Sequence, residues 1–286
     1  MKYQRLIMLA AVLWATAGII GCASGQEEVK MPKEYNLDKP ERFAMPESLL
    51  EISGISFYKG NNDTVYAIQD EEGKLFRLAW GNKKQYHVKF GKSGDYEDVS
   101  ILRDRVVVLK SNGSLYSFPF SDAIYEEIDS VQEWPRLLPE GEYEGMFGDE
   151  NPGLLYILCK NCKVDDKDNV TGYIYQLGDS SLTPAGQFNV DVESIKPFSG
   201  KVKKGFRPSA LAKNPVTGEW FIVSAINKLL VIADENWKIK NAYPLNGNTF
   251  NQPEGIAFDK AGNMYISNEG DDLSAGNILK FARLKP

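Results

Sequence analysis

The sequence predicts an all-β fold, a five-bladed β-propeller whose ring is closed by an N-terminal strand. A short segment recurs five times: an acidic residue or serine, then a small residue or aspartate, then an apolar residue. The copies are Ser53-Gly54-Ile55-Ser56, Glu97-Asp98-Val99-Ser100, Glu144-Gly145-Met146-Phe147, Ser209-Ala210-Leu211-Ala212 and Glu254-Gly255-Ile256-Ala257. Their apolar positions lie 44, 47, 65 and 45 residues apart. Periods near 45 residues are typical of propeller blades.

Each copy leads into further strand signals that are separated by turn residues. After the first copy, Thr64 to Ile68 and Lys74 to Ala79 read as extended, and Glu72-Gly73 lies between them as a turn. Asn112-Gly113 is a two-residue connection of the kind that tight antiparallel hairpins need. No long segment has a helical period. Four antiparallel strands in each repeat are the blades of a propeller.

Two segments decide how the ring is completed. The fifth copy leaves room for only three strands, so Glu34 to Ala44, ahead of the first copy, is predicted to supply the fourth. The 65-residue step has about 20 residues more than a blade needs. Val192 to Phe206 is interpreted as an inserted loop, with a sixth blade as the alternative.

The N-terminus has the order of parts found in a secretory signal peptide. Lys2 and Arg5 precede an uncharged run from Leu6 to Gly21, and the run ends in Ile19-Ile20-Gly21-Cys22, which resembles a lipobox. We therefore predict a signal peptide over 1–21, lipid attachment at Cys22, a tether over 22–33 and one propeller domain over 34–286. The alternatives are a plain signal peptide cut near Ala23 or an uncleaved anchor.

Lipid attachment would place the protein in the cell envelope with a membrane as its partner, either on the periplasmic side of the outer membrane or on the cell surface.

Composition argues against other classes of partner and site. With 33 Lys and Arg against 39 Asp and Glu and no basic stripe, nucleic acid is not an expected partner. The single histidine, His87, excludes zinc sites with two or more histidines and is expected on the solvent face of a strand.

Two further motifs are expected to have structural roles. Cys159 and Cys162 follow an apolar run, and either a local disulfide or a pair of free thiols fits their spacing. Asp165 to Asn169 lacks the glycine and the closing glutamate of an EF-hand loop, so a solvated hairpin tip is favoured over a calcium loop.

Acidic side chains recur at one position of the repeat. The first strand of each blade lines the channel, so Ser53, Glu97, Glu144, Ser209 and Glu254 should converge on the axis. Asp70 and Glu269, at the ends of second strands, could add oxygen ligands. Ca²⁺ accepts six to eight oxygens in flexible geometry, which makes it the predicted ion. The alternative is that each glutamate accepts hydrogen bonds from backbone N–H groups.

These motifs resemble the SdiA-regulated family of bacterial propellers, which is distantly similar to NHL-repeat proteins. The resemblance rests on Glu51 to Ser56, Val65 to Glu71, Tyr143 to Gly145, Pro208 to Ala212 and Gln252 to Asp259. It implies five blades, a calcium ion in the axial region and an unassigned activity, with hydrolysis suggested by analogy. Asp98, which replaces the glycine of the repeat in blade two, departs from the pattern.

Two functions remain open from the sequence. The first is a calcium-binding envelope lipoprotein whose propeller face binds a small molecule or a protein. The second is a metal-dependent hydrolase of the phosphoesterase or lactonase type, with Glu97, Asp98 or Glu269 as the general base. A deep open pocket at the channel mouth favours the enzyme, and a plugged channel favours the binding module.

Overall fold

The computed structural model describes residues 31–82, 84–199, 202 and 205–284. Twenty strands form five four-stranded antiparallel sheets, one for each repeat. The predicted all-β propeller with five blades is therefore confirmed, and the six-bladed alternative is excluded. The predicted signal peptide and Cys22 lie outside the described residues. In the described part of the chain, no helix is long and apolar enough to cross a membrane.

The strands follow the repeat closely. The N-terminal strand is β1 (Glu41–Ala44). Blade one has β2 (Ile52–Ser56), β3 (Val65–Gln69), β4 (Lys74–Leu78) and β5 (Tyr86–Lys89). Blade two has β6 (Tyr96–Leu102), β7 (Arg105–Lys110), β8 (Leu115–Pro119) and β9 (Gln132–Trp134). Blade three has β10 (Gly141–Asp149), β11 (Leu154–Cys162), β12 (Asn169–Leu177) and β13 (Leu182–Asp191). Blade four has β14 (Ala210–Lys213), β15 (Trp220–Ser224), β16 (Leu229–Ala233) and β17 (Ile239–Pro244). Blade five has β18 (Pro253–Phe258), β19 (Met264–Asn268) and β20 (Asn277–Phe281).

The N-terminal strand closes the ring, as the sequence predicts. Strand β1 pairs antiparallel with β20, with Glu41 opposite Lys280 and Ala44 opposite Asn277. Upstream, the buried Tyr35 hydroxyl donates a hydrogen bond to the Gly262 carbonyl at 2.6 Å. The first and last parts of the propeller domain are thus held together by backbone pairing, so no blade has to be completed by another chain.

The long step between the third and fourth repeats has two sources. Blade three has strands of nine or ten residues, longer than those of the other blades. The segment 192–206 then connects blades three and four with a 3₁₀ turn (Glu193–Ile195) and a short helix, α1 (Lys196–Ser199). Val192 and Ile195 are buried. The described part of the predicted inserted loop therefore packs onto the propeller.

Small residues allow the inner strands to approach one another. A Cβ atom added at Gly54 would lie 2.3 Å from the Asp98 carboxylate and 2.6 Å from its Cα. At Gly255 it would lie 2.5 Å from the Ser53 carbonyl oxygen. In blades one and five the second position of the repeat is therefore glycine, because the neighbouring strand occupies the space of a side chain.

Aromatic side chains fill the space between blades farther from the axis. The rings of Tyr156 in blade three and Trp220 in blade four lie 4.7 Å apart, and those of Trp80 and Tyr265 stack at 5.5 Å across the closing seam. These aromatic pairs thus pack blade against blade.

The close approach at Gly54 gives a test of the inner ring. Gly54→Ala is expected to destabilise the protein by roughly 1–3 kcal/mol, because the methyl group overlaps the Asp98 backbone and carboxylate. Gly247→Ala is the matched control, since a Cβ there meets nothing within 4 Å. Urea unfolding followed by circular dichroism measures both. Equal stability of the two variants would show that the inner strands are not tightly packed.

Candidate functional site

Carboxylates from different blades converge at one end of the channel. Glu97, Glu144 and Glu254 lie on the inner strands β6, β10 and β18, each two residues before the apolar position of its repeat. Asp70 and Glu269 directly follow the second strands β3 and β19. Antiparallel pairing places the end of a second strand beside the start of the first strand, so these five side chains share one end of the propeller.

Two more carboxylates belong to this end. Glu51 raises the pKa of both Asp70 and Glu269, and Asp95 raises the pKa of both Asp70 and Glu97, so each lies within electrostatic range of the group. We call the whole set the acidic mouth: Glu51, Asp70, Asp95, Glu97, Glu144, Glu254 and Glu269.

Burial and like charge perturb the titration of the acidic mouth. Burial, followed by the nearby charge of Asp95, raises the pKa of Glu97 to about 8. Burial, followed by the charges of Glu254 and Asp70, raises the pKa of Glu269 to about 8. Burial raises the pKa of Asp70 to about 6. Burial also raises the pKa of Glu254, against the opposing effect of a hydrogen bond with Ser209. The protein thus holds these acids where their ionised forms are disfavoured.

A lysine that the sequence analysis overlooked enters the same group. Lys160 forms an ion pair with Glu144, and its charge lowers the pKa of Glu97, Glu254 and Glu269. In blade three, the apolar residue of the repeat pairs with a residue of β11, and Lys160 lies three residues after that partner. Asp70 and Glu269 lie three residues after the equivalent partners in their own second strands. Aligning second strands as well as first strands would have revealed it.

Several oxygen atoms at this end have no hydrogen-bond partner. Oδ1 of Asp70 and Oε2 of Glu144 are buried and unpartnered, as is Oδ1 of Asn268, the residue before Glu269. Among the described residues, no backbone N–H donates to the carboxylates of Glu97, Glu144 or Glu254. The alternative prediction, that these glutamates serve as backbone acceptors, is therefore wrong for the described part of the chain.

The donors of the acidic mouth fit an oxygen-preferring cation in their chemistry. They are carboxylates, two of which, Asp70 and Glu144, have a buried oxygen without a hydrogen-bond partner, and without a cation their charges repel one another. In the described residues no three carboxylates bring their oxygens within 4.8 Å of one another. An ion shared by several of them would therefore require side chains to move inward from the positions seen here.

Asp98 has a different role from the one considered from the sequence. Its carboxylate accepts hydrogen bonds from the backbone N–H of Val99 at 2.8 Å and of Met146 at 2.7 Å. Burial raises the pKa of Asp98 well above its usual range. Because it is buried between inner strands and its oxygens are engaged, Asp98 joins blade two to blade three and is not placed to act as a general base at the mouth.

A separate cavity occupies the other end of the channel. It has a volume of about 260 Å³ and is lined by residues of all five blades, but by none of the acidic mouth. The apolar residues of the five repeats line it and are almost fully buried: Ile55, Val99, Met146, Leu211 and Ile256. This apolar ring lies between the cavity and the acidic mouth, so the channel is closed below the carboxylates.

The remaining motifs are structural. Cys159 and Cys162 form a disulfide, which decides between the two alternatives left by their spacing. Asp165 to Asp168 lie in the connection between β11 and β12, and Asn169 begins β12. The Asp166 side chain accepts hydrogen bonds from the backbone N–H groups of Asp168 and Asn169. That segment is the predicted hairpin tip. His87 is exposed on β5, as predicted.

Comparison of the sequence with protein families supports the resemblance predicted from the motifs. Residues 207–272, which cover blade four and the inner part of blade five, match the family model described as SdiA-regulated. The resemblance to that family is thereby confirmed over this part of the chain. No curated protein matches the sequence significantly.

Solved structures resemble this propeller at low sequence identity. The glutaminyl cyclase of Myxococcus xanthus has a TM-score of 0.56 at 12% identity, covering 86% of this chain and 96% of its own. The calcium-binding protein regucalcin from Agrobacterium tumefaciens has a TM-score of 0.52 at 12% identity, covering 88% and 96%. A protein of unknown function from Bacteroides thetaiotaomicron has a TM-score of 0.50 at 14% identity, covering 85% and 72%. These similarities show the fold alone.

The raised pKa values predict how stability depends on pH without divalent ions. A carboxyl whose pKa is higher in the folded state favours folding at low pH, and this contribution is lost as pH rises from about 4.5 toward 8. Glu97→Gln should therefore reduce the loss of stability between pH 5 and 9, by on the order of 2 kcal/mol. Urea unfolding in EDTA measures it.

Glu142→Gln is the control for the pH experiment. Glu142 lies on β10, two residues from Glu144, but its side chain is exposed. This variant should keep the pH profile of the unchanged protein. If Glu97→Gln also kept that profile, Glu97 would not be a protonated group in the folded state near neutral pH.

Proposed function

We propose that this protein is a lipid-anchored envelope protein whose propeller binds calcium at the acidic mouth and presents the surrounding face to a small molecule or a protein. The observation that carries the proposal is the convergence of seven carboxylates from four blades, with buried oxygens that lack partners. Groups of this kind are costly to hold together unless a cation relieves their repulsion.

The chemistry of the donors favours calcium. Asp70, Glu97, Glu144, Glu254 and Glu269 would hold the ion through carboxylate oxygens, which are hard ligands suited to Ca²⁺. The cysteines of this region are joined to each other, and the single histidine lies on the outer strand of blade one. Neither offers the ligands that zinc or copper prefers. Bound calcium would supply positive charge that keeps the acids ionised.

The closed channel favours a binding module over a hydrolase. The apolar ring lies below the acidic mouth and its side chains are almost fully buried, so the carboxylates lie at the end of a channel that apolar side chains plug. Glu97 and Glu269, each with a pKa raised to about 8, would be mostly protonated at pH 7 and would be weak general bases without a cation. Hydrolysis at this site would require the ion both to ionise these acids and to keep open coordination positions.

Calcium binding is tested by thermal unfolding of the full chain in a non-ionic detergent. A ligand that binds only the folded state, at 100 times its dissociation constant, should add about 2.7 kcal/mol of stability. We expect calcium to raise the melting temperature, magnesium to raise it less, and Glu97→Gln, Glu144→Gln and Glu254→Gln each to reduce or abolish the calcium effect. Glu142→Gln, the exposed control, should keep it. No calcium effect on the unchanged protein would contradict this part of the proposal.

Lipid attachment is tested at Cys22. In cells fed a labelled fatty acid, the unchanged protein should take up the label and partition into the detergent phase. Cys22→Ser should lose both properties, because the modification requires the thiol of that residue. Ser24→Ala, two residues away, is the control and should behave as the unchanged protein. Label retained by Cys22→Ser would exclude attachment at this position.

A further inference from the structure

Lys160 is a cation built into the acidic mouth. Its side chain forms an ion pair with Glu144, and both side chains are largely shielded from solvent, with exposed fractions of 23% and 8%. Its charge also acts on Glu97, Glu254 and Glu269, which come from blades two and five. One ammonium group on blade three therefore interacts with carboxylates of three blades.

The second lysine of this region is engaged differently. The Lys228 ammonium donates hydrogen bonds to the backbone carbonyls of Phe250 and Asn251. It is thus held by main-chain acceptors and joins blade four to the segment before blade five. Lys160, by contrast, is held by one of the carboxylates that would bind a metal ion.

A disulfide encloses Lys160 on both sides along the chain. Cys159 and Cys162 flank the dipeptide Lys160-Asn161, and their Cα atoms lie 6.0 Å apart. Cys159 is fully buried. The pairing of β10 with β11 shifts register on both sides of Tyr143, the residue opposite Cys159. The disulfide thus lies at an irregular point of the ladder, where regular pairing alone does not set the direction of the next side chain.

We propose that Lys160 is the resident counterion of the acidic mouth, that it competes with calcium for the carboxylates, and that the Cys159–Cys162 disulfide positions it for this role. The inference rests on the proposed function, because it assigns what sets the calcium affinity of the same site. Glu144 makes the competition direct. One of its oxygens pairs with Lys160, and the other is buried without a partner.

The test compares calcium affinities by isothermal titration calorimetry on the full chain in detergent. Lys160→Met removes the competing charge and is expected to tighten calcium binding at least about tenfold, since unit charges a few ångströms apart in a protein interact strongly. Lys160→Arg keeps the charge and should stay close to the unchanged protein. Lys163→Met is the matched control, because Lys163 is exposed and pairs with Glu140 outside the mouth.

The role of the disulfide is tested by a double-mutant cycle. Replacing Cys159 and Cys162 together by serine should release Lys160 and tighten calcium binding by less than Lys160→Met does. In the Lys160→Met background the same serine pair should have no further effect, because the disulfide acts through the lysine. An equal effect of the serines in both backgrounds would overturn the positioning role.

A measurement of thermal stability without calcium tests the role of Lys160 independently of the proposed calcium binding. In EDTA at pH 8, Lys160→Met should lower the melting temperature more than Lys163→Met, because the carboxylates of the mouth lose their counterion. If no variant binds calcium but this difference is found, the proposed calcium site fails and Lys160 stands as the resident cation. If calcium binds equally to the unchanged protein and Lys160→Met, the inference is wrong and the calcium site stands.

Discussion

Five inner strands approach one another closely around the axis, and this close packing determines where the blades place their polar side chains. At Gly54 and Gly255, the neighbouring strand fills the space that a side chain would need. This contact draws the blades to the axis and places the acidic position of the repeat, one residue before each glycine, at one end of the channel. Charged groups that are distant in sequence are thereby brought to one end of the channel in a poorly solvated region, where Coulomb energies are several times larger than in water.

Three effects can reduce the repulsion among the carboxylates of the acidic mouth. Proton uptake is the first, because burial and neighbouring charge raise the pKa of Glu97 and Glu269 to about 8. Pairing with an internal base is the second, and Lys160 supplies it to Glu144. Cation binding, the proposed third, uses the same carboxylate oxygens as the other two. If calcium binds as proposed, protons, the lysine and calcium would compete for one set of groups, and the occupancy of each would depend on the other two.

The repeat carries enough information to predict the fold and much of the mouth. Blade number and ring closure follow from spacing, because a three-stranded last repeat needs a strand from elsewhere, and β1 supplies it. Regular alternation of faces does not place Asp98, because the pairing of β6 with β7 shifts register between Tyr96 and Asp98 and the repeat gives no sign of this irregularity. Lys160 is absent from the predicted site residues because only acidic side chains were compared at the ends of the second strands. The spacing of the repeat does not predict which carboxylate oxygens lack hydrogen-bond partners, because that depends on side-chain packing.

The N-terminal segment of the propeller domain joins the ring at the end of the channel opposite the acidic mouth. Strand β18 begins at the acidic mouth with Glu254 and runs to the opposite end, where the turn at Gly262 accepts the hydrogen bond of Tyr35. The Asn214 amide, which follows the inner strand of blade four, donates to the same tyrosine hydroxyl at 2.8 Å. The chain thus enters the propeller at the end that holds the apolar cavity. The acidic mouth lies at the opposite end of the channel from this entry, so the two ends differ in chemistry as well as in their distance from the N-terminal segment.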